Sequence, residues 1–137
     1  MFNISAKGIY GLSAMLELAI HYGQGSIRIK EIAKTHKIPQ HFLEQLLITL
    51  KKTGLIISFR GYKGGYSLAK HPSKIMVSEI LLSLEGKFEI NSKNHKPAAL
   101  KYFLSNCELK IKNIFNVSLK DIIDEYKKIK RVNMYNI

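Results

Sequence analysis

Residues 38–68, IPQHFLEQLLITLKKTGLIISFRGYKGGYSL, decide the fold of this chain. The first half carries apolar side chains at helical spacing, Phe42 or Leu43 with Leu46, Leu47 and Leu50. Pro39 suits the first helical position, where an N–H has no intrahelical partner, and Gly54 stops the helix. Two short strands follow at 55–59 and 66–68, around a turn that is basic, glycine-rich and aromatic. From Lys51 to Lys74 there are six Lys or Arg and no acidic residue. A helix beside a cationic hairpin offers two probes for adjacent grooves of one duplex, the pattern of a winged helix–turn–helix.

Working outward, Ser5 is placed to cap a helix reaching about Tyr22. Ile9, Leu12, Leu16 and Ala19 form its apolar stripe, widened by Met15 and Ile20. An extended piece at 26–29 leads into a second helix over 30–36, with Ile32 and Ala33 inward. Downstream the pattern predicts a helix at about 77–84, a polar loop over 86–97, a helix at 98–115 and a last helix after the cap-like Ser118. The expected class is mainly α with a small β-hairpin wing: a winged helix–turn–helix at 1–86, a loop at 87–97 and C-terminal helices at 98–137. The last helix carries Leu119, Ile122, Ile123, Tyr126 and Ile129 on one stripe, with Lys120, Lys127, Lys128 and Lys130 on its other faces. That stripe either packs on the chain's own core or pairs with a second copy. A two-fold protein reading a two-fold site favours dimerisation.

Twenty-two Lys and Arg against ten Asp and Glu leave a net charge of +12. Such an excess suits a polyanionic partner, although lysine-rich chains without one share it. A single cysteine, Cys107, rules out an intramolecular disulfide and a Cys-x-x-Cys zinc site. No strictly apolar run exceeds three residues, too short for a membrane span. MFNISAKG lacks the layout of a signal peptide, so a cytoplasmic location is expected. No enzyme is expected either: no nucleophile–base pairing has supportive context, and GYKGGY is neither a P-loop nor a dinucleotide fingerprint.

In a helix–turn–helix the base-facing residues lie near the start of the second helix, here Gln40, His41, Glu44 and Gln45. Glu can accept from cytosine N4, and Gln can pair with adenine N6 and N7. A carboxylate is otherwise poorly placed near phosphates; the plainer alternative for Glu44 is an exposed group balancing lysines. Arg60 is one of only three arginines, so its place at the hairpin tip is not lysine bias. Arginine sheds water more readily than lysine in a narrow, electronegative minor groove. Gly61, Gly64 and Gly65 permit positive φ and close backbone approach, with Tyr62 and Lys63 on the phosphates. An ordinary exposed turn is the competing account. Further phosphate contacts are expected from Ser5 and Lys7 at the first helix N-terminus, and from Tyr10, Arg28, Lys30 and Lys51.

Four segments, ISAKGIYGLSAMLELA, IRIKEIAKTHKIPQHFLEQLLITLKKTGLI, FRGYKGGYSLAKHPSKIMVSEIL and VSLKDII, make the chain resemble the IscR/NsrR/CymR-type (Rrf-two) family of bacterial transcriptional regulators. A repressor on a pseudo-palindromic double-stranded operator is the expected role, with activation left open. The resemblance implies a homodimer paired through the last helix, with a helix in the major groove and the wing in the minor groove. It places His41, Glu44 and Gln45 at base-reading positions and Arg60 at the minor-groove arginine. Many members hold an iron–sulfur cluster with three cysteines between the fourth and fifth helices and one further ligand. Here GKFEINSKNHKPAAL, residues 86–100, contains none. Matching Phe103 to the aromatic residue after the ligand loop puts Pro97 and Leu100 where ligands are expected. One thiol cannot hold a cluster of four protein ligands, so no cofactor is expected. Cys107 is either a thiol switch or a small buried hydrophobe, and a lone His95 fits an exposed loop. That loop is expected to dock an unidentified metabolite or protein effector. The alternative function is a winged-helix module that binds RNA or a protein partner through the basic hairpin.

Overall fold

The computed structural model describes residues 3–90 and 93–135. Its elements are α1 (Ala6–Ile20), α2 (Ile29–His36), α3 (Gln40–Lys52), β1 (Ile56–Phe59), β2 (Gly65–Leu68), a 3₁₀ turn (Pro72–Lys74), α4 (Val77–Glu85), α5 (Ala98–Ile114) and α6 (Leu119–Tyr135). The expected loop at 87–97 is irregular over 87–90 and 93–97. Residues 91 and 92 lie outside the described residues, as do 1, 2, 136 and 137 of the flanking segments. No helix among the described residues is long and apolar enough to cross a membrane. The architecture is mainly helical with one antiparallel hairpin, as the sequence predicts.

One core joins α1–α4 and the hairpin, built on Met15, Leu18, Ile32, Leu43, Leu47, Leu50, Ile56, Ile75 and Ile80. Within it, α1 is rotated from its predicted stripe. Gly11, Ala14, Met15, Leu18 and Ala19 are buried, whereas Ile9 and Ile20 are exposed. Gly11 explains the rotation: a Cβ there would overlap the Leu84 side chain, so α4 packs on a face that apolar counting reads as empty. Pro39 also differs from expectation. Its ψ of 125° makes it the non-helical N-cap rather than the first helical residue, while its carbonyl accepts from Leu43 N–H at 2.9 Å.

The C-terminal helices start from this same core. Ser118 Oγ accepts from Asp121 N–H at 3.0 Å, and the Asp121 carboxylate accepts from Ser118 N–H at 2.9 Å. This reciprocal cap satisfies helix-end donors that would otherwise be orphaned. The junction is stitched to the start of α4, with Val77 N–H on Val117 O at 2.8 Å, Ser78 N–H on Phe115 O at 2.9 Å and Leu119 N–H on Ile75 O at 3.0 Å. Leu119 is fully buried, Ile122 and Ile123 are half-buried, and Tyr126 and Ile129 are 63% and 50% exposed. The stripe of α6 therefore divides between the protomer's own core and an open apolar face. α5 buries none of its 17 residues; Cys107 on it is half-buried.

Candidate nucleic-acid interface

Four buried leucines, Leu43, Leu46, Leu47 and Leu50, anchor one side of α3, and Phe42 is half-buried edge-on to Tyr10. This leaves Gln40, His41, Glu44 and Gln45 exposed together on the opposite side. The helix before it is positioned by Glu17, whose carboxylate contacts His21 Nε2 at 3.0 Å and His36 Nε2 at 2.8 Å, linking α1 to the end of α2. At the far end of α3, Gly54 adopts φ +78°, Gly54 N–H donates to Lys51 O at 3.0 Å and Leu55 N–H to Leu50 O at 3.1 Å. That Schellman closure buries Leu55 beside Leu50 and turns the chain directly into β1. Helix and hairpin thus share one hinge point with a fixed geometry.

The hairpin pairs Ile56 with Leu68 through to Phe59 with Gly65. It gains a further rung on its outer side from the extended piece before α2: Ile27 and Tyr66 exchange hydrogen bonds of 2.9 and 2.8 Å. Gly65 is required by this rung, because at φ +151° its Cβ would lie 2.5 Å from Ile27 O. Gly64 is required by the turn, since a Cβ there would lie 2.8 Å from both Gly61 O and Phe59 O. Gly61, at φ +93° with open space around it, and Gly65 have the positive φ expected of all three, and Gly64 does not. Gly64 and Gly65 are both required by packing within the protein itself.

Two further expected phosphate contacts have internal partners. Arg28 donates to the Tyr62 carbonyl, and its guanidinium lies 5.9 Å from the Tyr62 ring centroid. Ser26 Oγ donates to Lys63 O at 2.8 Å, so residues 26–28 brace the turn from one side. Ser5 caps α1, but its N–H donates to Glu85 Oε1 at 3.0 Å and its hydroxyl to the same carboxylate. The anion at that helix end comes from α4, and a phosphate arriving there would meet Glu85. Lys7, Lys30, Lys51, Arg60, Tyr62 and Lys63 are exposed, Tyr62 at 89%, and Tyr10 is half-buried. Among the described residues nothing holds the Arg60 side chain. Sequence reading missed Ser26 and Glu85, since neither carries a signal apart from its neighbours in space.

A helix with an open polar face, joined through a capped turn to a braced cationic hairpin, defines a winged helix–turn–helix regulator. Residues 4–127 match the Rrf2 family, described as iron-dependent transcriptional regulators, and the chain belongs to it. CymR of Bacillus subtilis is 46% identical over 84 residues, covering 61% of this chain and 61% of CymR. IscR of Photorhabdus laumondii is 38% identical over 83 residues, 61% of this chain and 51% of that protein. The match thus spans between half and two thirds of these relatives' length. The solved structure of CymR, the global cysteine regulator of B. subtilis, superposes with a TM-score of 0.82 at 34% identity, covering 91% of this chain and 98% of that one. IscR of T. potens gives 0.80 at 32% identity, covering 93% and 90%.

The residues present do not fit an iron–sulfur cluster. The chain has one thiol. Among the described residues no group of three or more His, Cys, Asp or Glu is placed to hold a metal ion. A cluster needs several convergent ligands, usually thiolates.

Proposed function

We propose that this protein is a cytoplasmic repressor that binds a pseudo-palindromic operator as a homodimer. Residues 39–53 enter the major groove and the wing, 55–68, enters the minor groove. The observation that carries the proposal is the pairing of an open Gln40–His41–Glu44–Gln45 face with an unheld Arg60 across a single capped turn. Gln40, His41, Glu44 and Gln45 read base edges. Lys7, Lys30, Lys51, Tyr62 and Lys63 meet phosphates and set register without reading sequence. Ser26 and Arg28 brace the wing before it meets DNA, which lowers the ordering entropy lost on binding. Dimerisation uses the outer part of α6, Ile122, Ile123, Tyr126 and Ile129, extended by Val132, which is also exposed. Leu119 roots the same helix in the core.

Selection of binding sites from genomic fragments, followed by titration against duplex, scrambled duplex and matched RNA, tests this function. Specific duplex binding that weakens steeply with salt supports it; equal affinity for every nucleic acid would sink it. Glu44→Ala removes both a base contact and a charge that repels phosphate, so it should change sequence preference more than overall affinity. A uniform change across sequences, measured by the same titration, would refute that role.

Control of DNA binding proceeds without a cluster in this proposal, through a metabolite or protein effector. The ultraviolet–visible spectrum of anaerobically purified protein should lack iron–sulfur absorption. A cluster spectrum would overturn this part of the proposal while leaving the DNA contacts untouched.

A further inference from the structure

The outward face of α3 is not wholly polar. Ile48 is 41% exposed, whereas the four leucines of the same helix are buried. At roughly 100° per residue, Ile48 falls between Glu44 on one flank and His41, Lys52 and Gln45 on the other. The arc from Leu43 to Leu50 lies on the far side. Ile48 is therefore near the centre of the face that carries the expected base readers, about two turns from the start of α3. Ile48 is no part of the buried core, and a β-branched side chain at an exposed helix position does not favour helix formation. Its polar neighbours can bond to base edges; Ile48 has nothing to donate or accept. What the major groove offers to such a group is the C5-methyl of thymine, its one apolar feature.

We propose that Ile48 is a specificity-determining residue that reads a thymine methyl group in each half-site. This deepens the DNA-binding function proposed above and rests on it. Glu44 and Gln45 select their bases by hydrogen bonding, while Ile48 selects thymine over cytosine at an adjacent pair by apolar contact. Replacing thymine by deoxyuridine removes the methyl group and leaves every hydrogen-bonding group of the pair in place, so it isolates this contact.

The test uses the full chain and the duplex it enriches most from a random library. Each thymine of one half-site is replaced in turn by deoxyuridine, and the symmetry-related thymine with it. For the wild-type protein one position should weaken binding roughly threefold to fivefold per half-site, the ratio for losing one buried methyl contact. Ile48→Ala, an exposed change to the best helix former, should bind the thymine and deoxyuridine duplexes alike at that position. If no position responds in the wild type, or Ile48→Ala keeps the wild-type profile, the inference is overturned. Failure to enrich any duplex over scrambled DNA would overturn the DNA-binding function itself, a result visible before any uridine is introduced.

Discussion

Leu119→Ala is expected to lower the free energy of unfolding by about 2–5 kcal/mol, the range for truncating a fully buried leucine. Leu119 has 0% exposure and belongs to the same core as Ile75 and Ile80. Its N–H is bonded to Ile75 O, and Ser118 before it is locked in a reciprocal cap. The start of α6 therefore cannot sink into the cavity without breaking these bonds, which favours the upper part of that range. Tyr126→Ala truncates a larger side chain on the same stripe, yet Tyr126 is 63% exposed. In the proposed dimer its loss acts on pairing between copies, with little effect on the packing of the protomer. Urea denaturation across a wide dilution series separates the two. Leu119→Ala should lower the midpoint at every concentration, and Tyr126→Ala only where the wild-type midpoint rises with concentration. Equal sensitivity to dilution in both variants would mean that the stripe is not divided as described.

That division shows what periodicity can and cannot read. A stripe at three- and four-residue spacing identifies α6 and its apolar face, because burial of either kind needs the same side chains on the same side. It does not say where along the helix self-packing gives way to an open face. That depends on the Met76–Ser118 bridge and the hydrogen bonds around it, which join residues distant in sequence. Glycine hides in a similar way. Gly11 reads as a gap in an apolar stripe, but a Cβ there would overlap Leu84 of α4, so the buried face of α1 is rotated from the predicted one while sharing Met15 and Ala19 with it. The helix–hairpin unit was legible because its signals are local. The leucine spacing, the Gly54 stop and the glycine-rich turn each act within a few residues. The candidate site was legible on α3 for the same reason, since a helix buried on one side exposes the other. It was not legible at Ser5 and Arg28, whose partners Glu85 and Tyr62 lie 80 and 34 positions away.

Arg60→Ala is expected to weaken operator binding by about 1–3 kcal/mol, the size of a specific groove contact. Two of the three arginines are near the wing, and the structure separates their roles. Arg28 is fastened to the Tyr62 carbonyl and ring, so its charge braces the turn. The side chain of Arg60, directly after β1, is held by nothing among the described residues and is free to enter a groove. Arg60→Lys keeps the charge but brings a more tightly hydrated group to a narrow groove, and should recover only part of the loss. A phosphate contact would instead be largely restored by lysine, so the Lys variant distinguishes the two. The bracing role makes a second demand on the same measurement. Once Arg28→Ala has loosened the turn, Arg60 is no longer held in register, and its own removal should matter less. The double variant should therefore lose less than the sum of the singles, as expected for groups that act through one element. Strict additivity in fluorescence-anisotropy titrations at fixed salt would show that Arg28 contacts DNA by itself. An unchanged affinity for Arg60→Ala would place the wing outside the groove.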